Sequence, residues 1–224
     1  TLITPFVGAF FAYIFKNKAG FVATVFSLIT LLFSLFNFFE VYISKIKIYY
    51  SFSLFKWLNN EVNFGLICDP LTLILLILII VIGFFVILYS AGYMSSLNAE
   101  HPFYKPFGNY YFFMLLFIGA MVGIVTATNL LQLFFFWEIT TLCSWALISY
   151  TKEKKALLSG LKAFIMTHIG GLSFLIALAL MYSEAKSFDF SVIGTLSNKF
   201  IVFTLLFFAA SAKSAQIPLF TWLP

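Results

Sequence analysis

The sequence contains no arginine, two histidines, two cysteines, and charged residues at only 9% of its 224 positions. Each shortage excludes something. A soluble domain of this length needs far more polar surface than a chain that is 62% hydrophobic supplies. Cys68 and Cys143 lie far apart, without metal-ligand spacing, and read as buried thiols acting as small apolar groups. Gly-rich phosphate loops and nucleophile–base arrangements are also missing, so neither metal nor cofactor is expected in this chain. No basic stripe on a soluble domain points to nucleic acid. Sustained alternation of apolar and polar residues is absent as well, which argues against a β-barrel.

What is present is a series of apolar runs near twenty residues long, the length a helix needs to cross a bilayer. The expectation is an all-α integral membrane fold with about seven transmembrane helices, in contact with lipid. The runs are roughly 2–15, 21–44, 70–94, 110–127, 130–150, 157–181, and 200 to the chain end. The first run is short, and an amino-terminal truncation is the expectation it raises. Asp69 and Pro70 form a standard helix start, with Asp69 as N-cap and Pro70 at the first helical position. Only Thr128 and Asn129 separate the fourth and fifth runs. Between the second and third runs, at about 45–69, alternation around Asn59 and Asn60 predicts a β-hairpin at the membrane surface. Residues 97–109 read as a polar loop and 183–199 as an interfacial connection. The organisation expected is an N-terminal set of helices, with the hairpin, over 1–127, followed by the start of a second module over 128–224.

Lysines divide almost evenly between the two sets of loops. The tightest clusters, Lys16–Asn17–Lys18 and Lys152–Glu153–Lys154–Lys155, fall on the same side. That side is placed in the cytoplasm, and the N-terminus outside.

The informative residues are the charges within the apolar runs. A charge at the bilayer centre costs about 2.5–3.5 kcal/mol, and it persists where a partner or a function compensates. Glu138 lies near the middle of the fifth run. Lys213 follows about thirteen apolar or small residues of the seventh. One acid and one base at comparable depth are natural partners across two helices. Lys213 is followed by Ser214, Gln216 and Pro218. Proline lacks the N–H that would bond the Ser214 carbonyl, and its ring clashes there, so the helix is expected to break between Lys213 and Pro218. Broken helices beside an ionisable residue mark ion sites in transporters. Lys162 and His168 sit in the sixth run, six residues apart and so on different faces. An imidazole titrates near neutral pH and suits proton relay.

Three segments carry a resemblance: "NLLQLFFFWEITTLCSWALISY", "LKAFIMTHIGG" and "AKSAQIPLFTWLP". They resemble the antiporter-like membrane subunits of respiratory complex I, the Mrp antiporters and the membrane-bound hydrogenases, of the NADH dehydrogenase subunit 5 type. The resemblance implies the N-terminal part of a larger antiporter-like fold. It implies proton translocation in a redox-driven complex of the NADH–quinone oxidoreductase or hydrogenase type, with the redox chemistry in partner subunits of a peripheral arm and with further membrane subunits alongside. The alternatives are an Mrp-type sodium/proton antiporter subunit and a structural membrane scaffold. It implies proton-relay roles for Glu138, Lys213 and Lys162. His168 lies near the family's polar relay positions, where "THIGG" departs from the Arg and Asp common in complex I chains and leans toward the hydrogenase and Mrp branch. The membrane implied is a prokaryotic cell membrane or the mitochondrial inner membrane.

Overall fold

The computed structural model describes residues 1–44, 47–57, 60–94 and 106–223. Seven α-helices follow in order: α1 (Ile3–Ile14), α2 (Ala19–Ser44), α3 (Pro70–Tyr93), α4 (Gly108–Val125), α5 (Leu130–Ile148), α6 (Lys154–Ala185) and α7 (Lys199–Lys213). Strands β1 (Ile48–Trp57) and β2 (Asn60–Cys68) form the expected two-stranded hairpin. Asn59 of its turn and most of the 97–109 loop lie outside the described residues. The fold is an all-α membrane fold carrying this one hairpin. Among the described residues five helices, α2 to α6, are long and apolar enough to cross a membrane. The first and last expected spans are shorter, with 12 residues in α1 and 15 in α7.

The chain forms two compact units: Thr1–Ile48 with Cys68–Val125, and Tyr49–Ile67 with Thr126–Pro224. In the first, α1 packs on α2 and α4, and α3 on α2 and α4. Apolar side chains gain little by leaving lipid for one another, so close approach at small residues supplies the packing. Gly8 on α1 sits where a methyl group would come within 2.6 Å of Phe26 Cβ on α2. Gly119 on α4 does the same against the Phe6 ring, at 2.9 Å. Hydroxyls add bonds between helices: Thr4 and Thr30 are 2.9 Å apart at Oγ1. Asp69 caps α3 as its sequence signature indicates, its Oδ1 accepting from the Thr72 N–H at 2.9 Å.

In the second unit α6 packs on both α5 and α7. The hairpin, expected with the N-terminal helices, groups here. Gln132 on α5 is the cause. Its Nε2 donates to the Gly65 carbonyl at 2.7 Å, and its Oε1 accepts from the Gly65 N–H at 3.0 Å. The side-chain amide thus stands in for a neighbouring strand. Asn129 caps α5 by accepting from the Gln132 N–H at 2.8 Å, and its Nδ2 donates to the Asn63 carbonyl at 2.7 Å. The connection between α6 and α7 holds a 3-10 turn at Phe190–Thr195.

Candidate functional site

The break in α7 comes where the sequence places it. The helix ends at Lys213, Ser214 closes it, and Ala215 turns the chain with a left-handed φ of 52°. A second short turn follows at Leu219–Trp222. The last carbonyls are not abandoned. Ser214 Oγ donates to the Ala210 carbonyl at 2.7 Å, and the Trp222 indole Nε1 donates to the Ala212 carbonyl at 3.0 Å. Helix termini inside apolar surroundings require such substitutes.

Glu138 is the ninth residue of the nineteen in α5. Its partner is His168 on α6, whose Nε2 lies 3.4 Å from Glu138 Oε2. The two side chains are 25% and 38% exposed, so neither is sealed off. The other carboxylate oxygen points at α6, where Gly171 leaves room for it: a methyl group there would come within 2.5 Å of Oε1. Gly170, its neighbour, serves the opposite contact, since a methyl group on it would meet Ala212 Cβ on α7 at 2.7 Å. The Gly170–Gly171 pair therefore lets α5 and α7 approach α6 closely from two directions. The imidazole stacks on Phe164, one turn earlier, with ring centroids 4.3 Å apart. Glu138 Oε1 and His168 Nδ1 are buried and have no hydrogen-bond partner among the described residues. The carboxylate–imidazole pair is thus polar at its centre and unpaired at both ends.

Lys213 reaches α5 one turn beyond Glu138. Its Nζ donates to Thr141 Oγ1 at 2.6 Å and to the Trp137 carbonyl at 3.4 Å. It also lies over the Trp137 indole, 5.5 Å from the centroid, in cation–π range. Thr141 is fully buried, and its hydroxyl is 3.2 Å from the Trp137 carbonyl. The direct Glu138–Lys213 ion pair expected from the sequence is not made in this arrangement. The reason is geometric: α6 presents His168 to the carboxylate, while the lysine at the very end of α7 meets the hydroxyl and carbonyl of α5 first.

Lys162 is exposed on α6 and has no hydrogen bond or ion pair among the described residues. The site therefore brings together Glu138, His168 and, through the shared face of α5, Lys213, and leaves Lys162 aside. Sequence reading assigns no role to Thr141 or Trp137, although Trp137 adjoins Glu138 in a segment that carries the resemblance. Thr141 carried a signal, since it stands at i+3 from Glu138 and so on the same helix face. A cleft of about 570 Å³ also opens on this part of α5, bounded by Phe64, Asn129, Gln132, Phe135, Glu138 and Leu142. Its walls are mostly apolar, and Glu138 is the one acid among them.

Comparison with known proteins agrees with this architecture. Residues 127–224 match the family described as NADH:quinone oxidoreductase/Mrp antiporter, transmembrane region. Residues 57–104 match the N-terminal region of chain 5 of NADH-ubiquinone oxidoreductase, complex I. The Na(+)/H(+) antiporter subunit A1 of Staphylococcus aureus is 38% identical over 178 residues, covering 75% of this chain and 21% of that protein. The chain thus spans about a fifth of the length of that relative. Among solved structures, the Mrp complex from Dietzia sp. DQ12-45-1b superposes with a TM-score of 0.80 at 26% identity, covering 100% of this chain and 24% of that one. The archaeal membrane-bound sulfane sulfur reductase superposes with a TM-score of 0.81 at 21% identity, covering 99% of this chain and 45% of that one; this second likeness speaks to the fold alone.

Proposed function

From the premise that the chain belongs to the antiporter-like membrane subunits shared by complex I and the Mrp antiporters, we propose that it carries a proton-transfer site made of His168, Glu138 and Lys213. The observation that carries this reading is the 3.4 Å carboxylate–imidazole contact with an unpartnered buried atom at either end. An imidazole takes a proton at one ring nitrogen and releases one from the other. A proton arriving at His168 Nδ1 is matched by release of the Nε2 proton to Glu138 Oε2. Glu138, once neutral, no longer supports the nearby ammonium of Lys213, which passes its own proton onward. Lys162 serves as a further relay position only if it is reached through water, since it stands outside the cluster.

The energy source is read as an ion gradient, with sodium/proton exchange as the whole protein's activity. A relative of 38% identity, named as an antiporter subunit, supports this. A second reading, coupling to redox chemistry in a peripheral arm, draws on the breadth of the family, which takes in NADH:quinone oxidoreductase. In either case other membrane subunits surround the chain; the likeness to a chain of the Mrp complex supports this. Placement in a prokaryotic cell membrane, N-terminus outside, completes the proposal. A purely structural role for the charges is the competing class. Exchanging them, Glu138→Lys with Lys213→Glu, preserves flux if they are only a clamp.

The test is Lys213→Ala in the assembled complex, reconstituted in proteoliposomes. The expected result is a complex that assembles and shows no proton flux above background. Flux at the wild-type rate defeats the reading. Sodium-driven proton movement without any electron donor then separates exchange from redox coupling.

A further inference from the structure

Lys213 of α7 docks on α5 at Thr141, three residues from Glu138, yet the ammonium is bound to that hydroxyl while the carboxylate is held by an imidazole. An ammonium docked within one helical turn of a carboxylate, with each engaged elsewhere, needs something that keeps them so. We propose that Thr141 is a positioning residue: its hydroxyl is a second docking point for the Lys213 ammonium, and Lys213 alternates between Thr141 and Glu138. This rests on the proton-transfer reading of the same site.

The geometry favours a built dock over incidental packing. Thr141 is fully buried. Its hydroxyl receives the ammonium at 2.6 Å, a short charge-assisted bond, and lies 3.2 Å from the Trp137 carbonyl, to which it can donate. The same carbonyl accepts from Lys213 Nζ at 3.4 Å, and the indole face lies beneath the charge. Carbonyl, hydroxyl and ring together replace part of the hydration an ammonium loses on leaving water. Cβ atoms three residues apart on a helix are about 5–6 Å apart. A rotamer change in the long lysine side chain therefore transfers Nζ from Thr141 to Glu138 without moving either helix. His168 competes for Glu138 and keeps the lysine at Thr141 while the imidazole is engaged. The titratable groups on the elements packed about Lys213 are Glu138 and Cys143 on α5, and Lys154, Lys155, Lys162, His168, Tyr182 and Glu184 on α6.

Alternation makes a prediction that simple hydrogen bonding does not. Thr141→Val keeps the shape and removes the hydroxyl. With Glu138 present, the lysine then moves to the carboxylate, and its amine becomes less available. With Glu138→Gln, the same change leaves the lysine without a good acceptor, and the amine becomes more available. The experiment measures the rate of reductive methylation of Lys213 at fixed pH, read by mass spectrometry on the assembled complex. Expected is a several-fold slower rate in Thr141→Val and an about ten-fold faster rate in Thr141→Val with Glu138→Gln than in Glu138→Gln alone. Thr141→Ser, which restores the hydroxyl, returns both rates to within about two-fold of their parents. Proton flux in Thr141→Val is expected to fall, with a changed pH profile that Thr141→Ser restores.

Rates that rise in both backgrounds, or that change in neither, overturn the proposal. The methylation measurement does not depend on transport. If Lys213→Ala retains full flux while the sign reversal is seen, the proton-transfer reading fails and the dock stands.

Discussion

The two compact units use the same device for opposite ends. In the α1–α4 unit, Gly8 and Gly119 let helices approach until backbone meets aromatic side chain: Phe26 in one case, Phe6 in the other. In the α5–α7 unit, Gly171 lets α6 approach α5 until backbone meets a carboxylate oxygen. The first kind of contact is a helix-packing contact between apolar groups. The second leaves a polar group against a surface that offers it no donor. A carboxylate deprived of one set of hydrogen bonds costs free energy that apolar packing around it must offset. A small residue on a membrane helix therefore has no fixed meaning. What it faces decides whether it serves cohesion or chemistry.

That contrast is open to direct test. Gly171→Ala has the larger functional effect. The added methyl meets the far end of a flexible side chain, so the fold tolerates it and Glu138 moves. The contact with His168 is broken, and proton flux falls by at least about ten-fold while thermal stability changes little. Parallel flux and melting measurements read both halves; equal losses in the two would erase the distinction. Gly8→Ala shows the reverse pattern. Its methyl meets Phe26 Cβ at 2.6 Å and Leu115 Cδ1 at 3.2 Å, and the Cβ atom cannot swing aside. Overpacking of this kind costs about 1–3 kcal/mol, seen as a melting point lowered by several degrees with flux per folded molecule unchanged.

The smallest effect lies at the start of α3. The Thr72 backbone N–H bonded to Asp69 holds its carboxyl below the usual carboxylate range. A lowered folded-state value means the cap's contribution is fully present above the unfolded value, about 3.9, and is lost as pH falls through the lower folded one. Asp69→Ala should therefore lower stability by about 1 kcal/mol at pH 7. The difference between variant and wild type should narrow as pH falls below the unfolded value, as denaturation curves at neutral and acid pH would show. A difference that persists in acid would mean the cap acts through something other than the charge.

Much of this was readable from residue order. The apolar runs located α2 to α6 to within a few residues, because the bilayer imposes one length on every crossing helix. The Asp69–Pro70 start and the end of α7 before Pro218 followed from local backbone chemistry. The hairpin followed from alternation. Its allegiance did not: whether it groups with the first unit or with α5 turns on the Gln132 amide reaching Gly65, a contact across 67 positions that no local pattern encodes. The site was legible in part. Glu138, His168 and Lys213 declared themselves by being polar where apolar residues are expected. Thr141 and Trp137 did not, since a threonine bonding its own helix is ordinary in a membrane and tryptophan is common in apolar runs.

Sequence alone settled which groups must answer for their presence in lipid, because the cost of burying a charge depends on the residue and its depth and hardly on its neighbours. Tertiary structure alone settled who answers to whom. Pairing is decided over a few ångströms, by which helix lies between two others and where a missing side chain lets them close, and here that gave the acid an imidazole and the amine a hydroxyl.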